Sequence, residues 1–144
     1  MFRITVSRTF DATHALLIGG VREPVHGHQW RVEVTLSGPD LDRDGLLLDF
    51  HDVECALGQI LSPFDGGNLN SVPPFHQVNP SAEEVARHVA RSLTERLGLG
   101  ARTEPSATRP VRVTHVRVSE APGCLATFEP EIGTPVNAAG GSHA

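Results

Sequence analysis

The 144-residue sequence contains no lysine and no tyrosine, and all 12 of its basic residues are arginine. These absences exclude a Schiff-base lysine, the lysine of a phosphate-binding P-loop and a tyrosine that acts as a general acid. Only two cysteines, Cys55 and Cys124, are present. Two cysteines are too few for a disulfide framework, and they favour a reducing, cytoplasmic location.

Acidic residues outnumber basic ones, which gives a formal net charge of -5. A nucleic-acid-binding protein normally carries a basic surface, so this balance argues against such a partner. Apolar runs fall short of the roughly 20 residues that cross a bilayer, and the first residues do not have the anatomy of a signal peptide. Hydrophobic residues make up 39% of the chain, enough for one domain with its own core. We therefore expect a domain without nucleic-acid or membrane partners.

Alternation of apolar and polar residues predicts four β-strands, over residues 2–10, 25–36, 110–120 and 124–129. The strands follow one another in two hairpin-like pairs, which favours an antiparallel sheet. Two helices are expected between the pairs, and they can pack together on one face of that sheet. The sequence therefore predicts an α+β fold with a four-stranded antiparallel sheet.

The two helices are predicted from their start signals. Asp49 is a good N-cap for a helix over residues 50–61, and Ser81 with Glu84 forms a capping box that opens the second helix. The segment 64–78, rich in Gly, Asn and Pro, is predicted to be an ordered loop with little regular structure. The domain should therefore cover residues 1–132, and the Gly/Ala-rich residues 133–144 should form a disordered tail.

Histidine is the residue type in excess, with 8 in the chain. His26 and His28 stand two apart, so on a strand both imidazoles project from the same face. His14 follows the first predicted strand, and pairing of the first two strands brings it to the same end of the sheet. Three imidazoles and one open position describe a catalytic zinc site, although three unrelated histidines at a strand end are the alternative. His51 and His88 are predicted to be surface residues on the helices.

Six short motifs resemble those of the 6-pyruvoyl-tetrahydropterin synthases and their bacterial relatives, the 6-carboxy-tetrahydropterin synthases. They occur in the same order, and the match runs from residue 2 to residue 130, nearly the whole chain. The six motifs are FDATH at 10–14, HGH at 26–28, GLLLDF at 45–50, FDGGNLN at 64–70, NPSAE at 79–83 and VRVSE at 116–120.

The resemblance implies the tunnelling fold, in which the sheets of three subunits close into a barrel and two trimers stack as a hexamer. It also implies Zn²⁺ on His14, His26 and His28, and a 7,8-dihydroneopterin triphosphate substrate at sites shared between subunits. By the same resemblance Glu120 anchors the pterin, because a carboxylate can accept two parallel hydrogen bonds from the ring. Ser81 matches a position near that pocket. Members of the family serve queuosine or folate biosynthesis.

The sequence departs from the family at two catalytic positions. The family's cysteine shortly before HGH is absent, and the histidine of its L-D-H motif is Gly66, which leaves Asp65 without its partner. Glu23 stands near the missing cysteine and resembles a subgroup with glutamate there, so Glu23 and Asp65 are the predicted catalytic residues. His51 or His76 are alternatives for the missing imidazole. Cys55 and Cys124 are predicted to be packed thiols.

Two functions of different classes remain open at this point. The first is a zinc-dependent lyase that acts on 7,8-dihydroneopterin triphosphate or a related dihydropterin and yields a carboxy-, pyruvoyl- or hydroxymethyl-pterin. The second is a homologue that binds a pterin or purine-like ligand and has lost the lyase activity. A purely structural barrel with incidental histidines would bind no zinc.

Overall fold

The computed structural model describes residues 1–100 and 111–131, so the predicted tail at 133–144 and the connection at 101–110 lie outside it. Seven strands, two α-helices and one short 3-10 helix make up this part of the chain. In chain order they are β1 Phe2–His14, β2 Leu17–Ile18, β3 Val21–Arg22, β4 His26–Gly38, α1 Phe50–Leu61, β5 Gly67–Asn68, the 3-10 helix Leu69–Ser71, α2 Ala82–Arg96, β6 Arg112–Ala121 and β7 Cys124–Phe128.

The main sheet has the strand order β5-β1-β4-β6-β7, and β2 pairs with β3 in a separate small hairpin. The neighbouring long strands β1, β4, β6 and β7 are antiparallel, as predicted. The predicted α+β class is confirmed. The sheet has one strand more than predicted, because the two residues of β5 join the edge of β1 in parallel. That strand lies inside the segment predicted to have little regular structure.

The first strand is longer than the sequence indicated and carries His14 as its last residue. Its predicted end at Phe10 was wrong because the next inward positions hold the small Ala12 and the polar His14, which weaken the apolar half of the alternation. The structure continues that alternation, with Phe10, Ala12 and His14 all buried on one face. Pairing with β4 runs along the whole strand and sets His14 opposite His26. The register therefore fixes where the histidines meet.

Both helices begin at the predicted caps. The Asp49 side chain accepts a hydrogen bond from the backbone N–H of His51 at 2.8 Å, and the Ser81 hydroxyl accepts one from the N–H of Glu84 at 3.2 Å. Their apolar residues join one core with the strand residues that alternate toward them. That core includes Trp30, Val32, Val34 and Leu36 of β4, Val53, Leu57 and Ile60 of α1, and Val85, Val89 and Leu93 of α2. None of the described helices is long and apolar enough to cross a membrane.

His88 on α2 is not a surface residue as predicted but packs at the core margin. Its ring centroid lies 5.7 Å from that of Phe64 and 5.6 Å from that of Phe75, in edge-on contacts. Burial disfavours the charged imidazolium, so it lowers the pKa of His88 below its usual value.

This burial predicts a dependence of stability on pH. Below the ordinary histidine pKa of about 6.5, His88 is protonated in the unfolded chain, whereas burial disfavours its protonation in the folded chain. The free energy of unfolding should therefore fall as the pH drops through that range. Urea unfolding at pH 8 and at pH 5 measures the loss. His88→Leu should lose less stability on acidification than the parent protein. His51→Leu is the control, because His51 is exposed, and it should lose as much stability as the parent. Equal losses in the parent and in His88→Leu would contradict the burial argument.

Candidate metal centre

The three predicted metal ligands meet at the paired ends of β1 and β4. One side-chain nitrogen from each of His14, His26 and His28 lies within 4.8 Å of the other two. His14 and His26 face each other across the two strands, and His28 follows two residues later. Their ring centroids are 4.7 to 5.2 Å apart. The structure therefore brings together the ligand set that the spacing predicted.

Backbone carbonyls orient two of these rings. The Nδ1 atom of His14 lies 2.8 Å from the carbonyl oxygen of Pro80, and the Nδ1 atom of His26 lies 2.9 Å from that of Pro24. A carbonyl can only accept a hydrogen bond, so each Nδ1 carries the proton and donates it. In the neutral ring Nε2 then holds a free lone pair. A carbonyl on the far ring nitrogen is the usual support of a metal-bound histidine.

The electrostatics of the cluster also suit a metal ion. Among the described residues, His14 Nε2 and His28 Nε2 are buried side-chain nitrogens without a hydrogen-bond partner. Such atoms are costly to bury unless something satisfies them. Desolvation is the main cause that lowers the pKa of His28, which favours the neutral imidazole that a metal requires. The donor set therefore fits a borderline cation such as Zn²⁺, for which imidazole is a common ligand.

Glu120 reaches this cluster from β6. Its Oε2 atom lies 3.3 Å from His14 Nε2. The pairing of β6 with β7 is irregular here, because Ser119 pairs with Leu125 and Ala121 with Cys124, which leaves Glu120 in a bulge. Val116 and Val118 are buried on the core face of β6, and Glu120 follows Val118 by two residues, so the regular alternation of the strand points its side chain toward the face that carries His14.

Glu23 lies on the other side of the cluster, just after the β2–β3 hairpin. Its backbone N–H donates to the carbonyl of Leu16, and its Oε1 atom accepts from the Leu16 N–H, both at 2.9 Å. These two hydrogen bonds fix the carboxylate, and Oε1 lies 3.8 Å from His26 Nε2. The predicted base is therefore held beside the metal ligands.

Asp65 is not part of this cluster within one chain. Its Oδ1 atom accepts from the backbone N–H of Asp11 at 3.0 Å, and the N–H of Gly66 donates back to the Asp11 carbonyl at 2.7 Å. Asp11 is three residues before His14 on an extended strand, or about 10 Å away. Neither His51 nor His76, the alternatives for the missing imidazole, belongs to the histidine cluster, and both are exposed.

The two cysteines differ from the sequence-based expectation. Cys55 and Cys124 are exposed rather than packed. The Ser81 hydroxyl caps α2, and Ser81 directly follows the Pro80 carbonyl that orients His14. The support that the two proline carbonyls give was missed, because a backbone acceptor leaves no signal in side-chain identity. The contact between Glu120 and His14 was also missed.

Gly66 has a backbone conformation that explains why a side chain is unfavourable there. Its φ is +76°, in the left-handed region, and a Cβ built on it would meet nothing within 4 Å. Gly66 and His28 both line a cavity of about 400 Å³. The loss of a histidine at this position therefore accompanies a backbone that favours glycine.

A pair of neighbouring variants tests this explanation. Gly66→Ala should lower the free energy of unfolding by about 1–2 kcal/mol, since the cost is the left-handed backbone alone. Gly67→Ala is the control, because its φ is not in that region and its Cβ would meet the Phe64 carbonyl oxygen at an ordinary 3.6 Å. Urea denaturation of both variants provides the measurement. Equal stabilities would show that the residue 66 backbone relaxes without cost.

Comparison with known proteins identifies the family. The family model for 6-pyruvoyl tetrahydropterin synthase matches residues 3–131. The chain belongs to this family. A relative from Archaeoglobus fulgidus, assigned by name as a 6-carboxy-5,6,7,8-tetrahydropterin synthase, is 30% identical over 99 residues, which cover 69% of this chain and 81% of the relative.

Solved structures of 6-pyruvoyl tetrahydropterin synthases share the fold. The Caenorhabditis elegans structure matches with a TM-score of 0.70 at 21% identity, over 91% of this chain and 98% of that one. A Plasmodium vivax structure matches with a TM-score of 0.69 at 20% identity, over 91% and 98% of the two chains. The predicted family and the tunnelling fold of the single subunit are therefore confirmed, and the chain is a pterin synthase homologue.

Proposed function

We propose that this protein is a zinc-dependent lyase that acts on 7,8-dihydroneopterin triphosphate or a closely related dihydropterin. The observation that carries the proposal is the convergence of three imidazoles and two carboxylates at one end of the sheet. Glu23 Oε1 lies 3.8 Å from His26 Nε2, and Glu120 Oε2 lies 3.3 Å from His14 Nε2. Metal ligands, a base and an acceptor for the pterin ring are the groups that such a reaction needs.

In this proposal His14, His26 and His28 hold the zinc ion. When bound, zinc would lower the pKa of a substrate hydroxyl that coordinates it and stabilise the negative charge that develops. Glu23 accepts the proton, and its two hydrogen bonds to Leu16 keep the carboxylate beside His26. A catalytic glutamate has a precedent, because a second Plasmodium vivax structure is of a variant in which a glutamate described as a catalytic residue is replaced by alanine.

Substrate binding is assigned to Glu120 and Ser81. The Glu120 carboxylate can accept two parallel hydrogen bonds from the amino group and ring N–H of the pterin. The Ser81 hydroxyl accepts from the N–H of Glu84 as the helix cap, so its own proton is left to donate to substrate. Both assignments come from the family resemblance.

Asp65 is retained as a catalytic residue that acts between subunits. Within one chain its carboxylate binds the backbone of β1 at Asp11, away from the histidines. The resemblance implies sites shared between neighbouring subunits, and a neighbouring copy could present Asp65 to the cluster. Sharing of this kind requires the oligomer, so we propose it together with the assembly.

A hexamer of two stacked trimers is the proposed assembly. The sheet ends at the two-residue β5 on one side and at β7 on the other. Leu125 on β7 is 51% exposed. Open edges and exposed apolar side chains favour closure against other copies. A cytoplasmic location and a place in queuosine or folate biosynthesis complete the proposal.

Turnover of the substrate tests the proposed function. Purified protein without a histidine tag, loaded with one zinc ion per chain, is incubated with 7,8-dihydroneopterin triphosphate, and the pterin products are separated by chromatography. We expect a carboxy-, pyruvoyl- or hydroxymethyl-pterin. No turnover of any dihydropterin at full zinc occupancy would refute a lyase.

The second candidate is a homologue that binds a pterin or purine-like ligand without turning it over. It is favoured by the absence of a cysteine before HGH and by the left-handed Gly66 in place of the histidine. Under this alternative Glu120→Ala should abolish ligand binding, whereas Glu23→Ala should leave it nearly intact. A turnover that Glu23→Ala removes would exclude this alternative.

A further inference from the structure

Glu120 is in contact with the metal-binding histidines in a way that its role as a pterin anchor does not require. Among the described residues, three buried side-chain polar atoms have no hydrogen-bond partner, and all belong to this site. They are His14 Nε2, His28 Nε2 and Glu120 Oε2. Two imidazole nitrogens and one carboxylate oxygen, all unsatisfied, therefore lie in a single place.

The contact between Glu120 and His14 is not a hydrogen bond. The Pro80 carbonyl accepts from His14 Nδ1, so Nε2 of the neutral ring carries a lone pair instead of a proton. Glu120 Oε2 lies 3.3 Å away and does not make a hydrogen bond with it, although both atoms are buried. Two lone pairs facing each other away from water repel. A cation between them would turn this repulsion into attraction.

The separation suits two ligands of one tetrahedral ion. Nitrogen and oxygen ligands about 2.0–2.2 Å from zinc, at the tetrahedral angle, are about 3.4 Å apart. The observed distance from His14 Nε2 to Glu120 Oε2 is 3.3 Å. Glu23 differs, because its Oε1 atom already accepts the Leu16 N–H and lies 3.8 Å from His26 Nε2. Of the two carboxylates, Glu120 has the position of a ligand.

We propose that Glu120 is the fourth ligand of the metal while no pterin is bound, and that pterin binding takes this carboxylate away from the metal. Two parallel hydrogen bonds to the pterin ring require both carboxylate oxygens, so Glu120 cannot bind the ring and the metal fully at once. The position left free is then available to the substrate. The exchange rests on the proposed function, whereas the ligand role rests on the site geometry alone.

Metal affinity and ligand spectroscopy test the ligand role without any turnover. Co²⁺ is bound in place of zinc, and its visible absorption reports the number and type of ligands. Glu120→Gln should weaken Co²⁺ and Zn²⁺ binding at least about tenfold in chelator competition and should shift the spectrum. Glu33→Gln is a matched control, because Glu33 is also on a strand of the sheet and its side chain is 29% exposed against 28% for Glu120.

A shorter carboxylate separates ligation from simple charge. Glu120→Asp keeps the negative charge but draws it back by one methylene, so a ligand role predicts weaker binding and a shifted spectrum in this variant too. Wild-type affinity and spectrum in Glu120→Gln would overturn the proposal. Weak binding in Glu120→Gln with wild-type affinity and spectrum in Glu120→Asp would overturn it as well, since charge alone would then suffice.

Unsubstituted pterin, which has the ring but no side chain at C6, tests the exchange. Its addition to the Co²⁺ protein should move the spectrum toward that of Glu120→Gln. Pterin that binds, as measured by calorimetry, and leaves the spectrum unchanged would overturn the exchange. Pterin that does not bind at all would overturn the exchange as well, whereas the proposed function is decided by turnover of 7,8-dihydroneopterin triphosphate and the ligand role by the metal affinities.

Discussion

Alanine in place of His28 is expected to lower zinc affinity at least about 100-fold, because replacing even an outer partner of a metal ligand costs about 10- to 100-fold. His28 is the best of the three histidines for this experiment. Its side chain is partly exposed. His14 is fully buried, and its ring centroid lies 4.8 Å from that of Trp30. A variant at His14 would therefore confuse loss of metal with loss of core packing.

His115→Ala is the control for this experiment. His115 also lies partly exposed on a strand of the same sheet, paired with Thr35, and is outside the metal cluster. Elemental analysis of protein purified without a histidine tag should give one zinc per chain for the parent and for His115→Ala, and far less for His28→Ala. Equal zinc contents in all three proteins would mean that the metal is bound elsewhere.

The sequence predicted well where the three histidines meet, because the relevant information is local. A spacing of two residues on a strand is enough to put His26 and His28 on one face. His14 needed one further step, the antiparallel pairing of β1 with β4, and that pairing is typical of consecutive strands. The helix caps at Asp49 and Ser81 are local for the same reason.

The features that the sequence did not predict depend on contacts between distant parts of the chain. Glu120 reaches His14 because β6 pairs with β4, whose other neighbour is β1, and this order of strands is a property of the whole sheet. The Pro80 carbonyl orients His14 from the start of α2, 66 residues further along the chain. The environment of His88 was predicted wrongly because the two rings that cover it come from the loop before α2.

Glutamine in place of Glu23 is expected to lower kcat about 10²- to 10⁴-fold, the usual contribution of a general base. Glutamine keeps the shape of the side chain, and its amide oxygen can still accept the Leu16 N–H that now reaches Glu23 Oε1 at 2.9 Å. The hairpin contact should therefore persist, and only the ability to take a proton is removed. Zinc content should stay at one per chain, since Glu120 and not Glu23 has the position of a ligand.

Three measurements, kcat, zinc content and pterin binding, together identify what Glu23→Gln changes. A fall in kcat with unchanged zinc content and unchanged pterin binding assigns the proton transfer to Glu23, since loss of metal or of substrate would change one of the other two. Glu33→Gln, which removes a carboxylate paired with Arg117 on the sheet, should keep the parent kcat. Parent-like turnover in Glu23→Gln would remove Glu23 from the chemistry. The base would then have to be sought at Asp65 of a neighbouring subunit, because among the described residues Glu120 is the only other carboxylate with an atom within 4 Å of the histidine cluster.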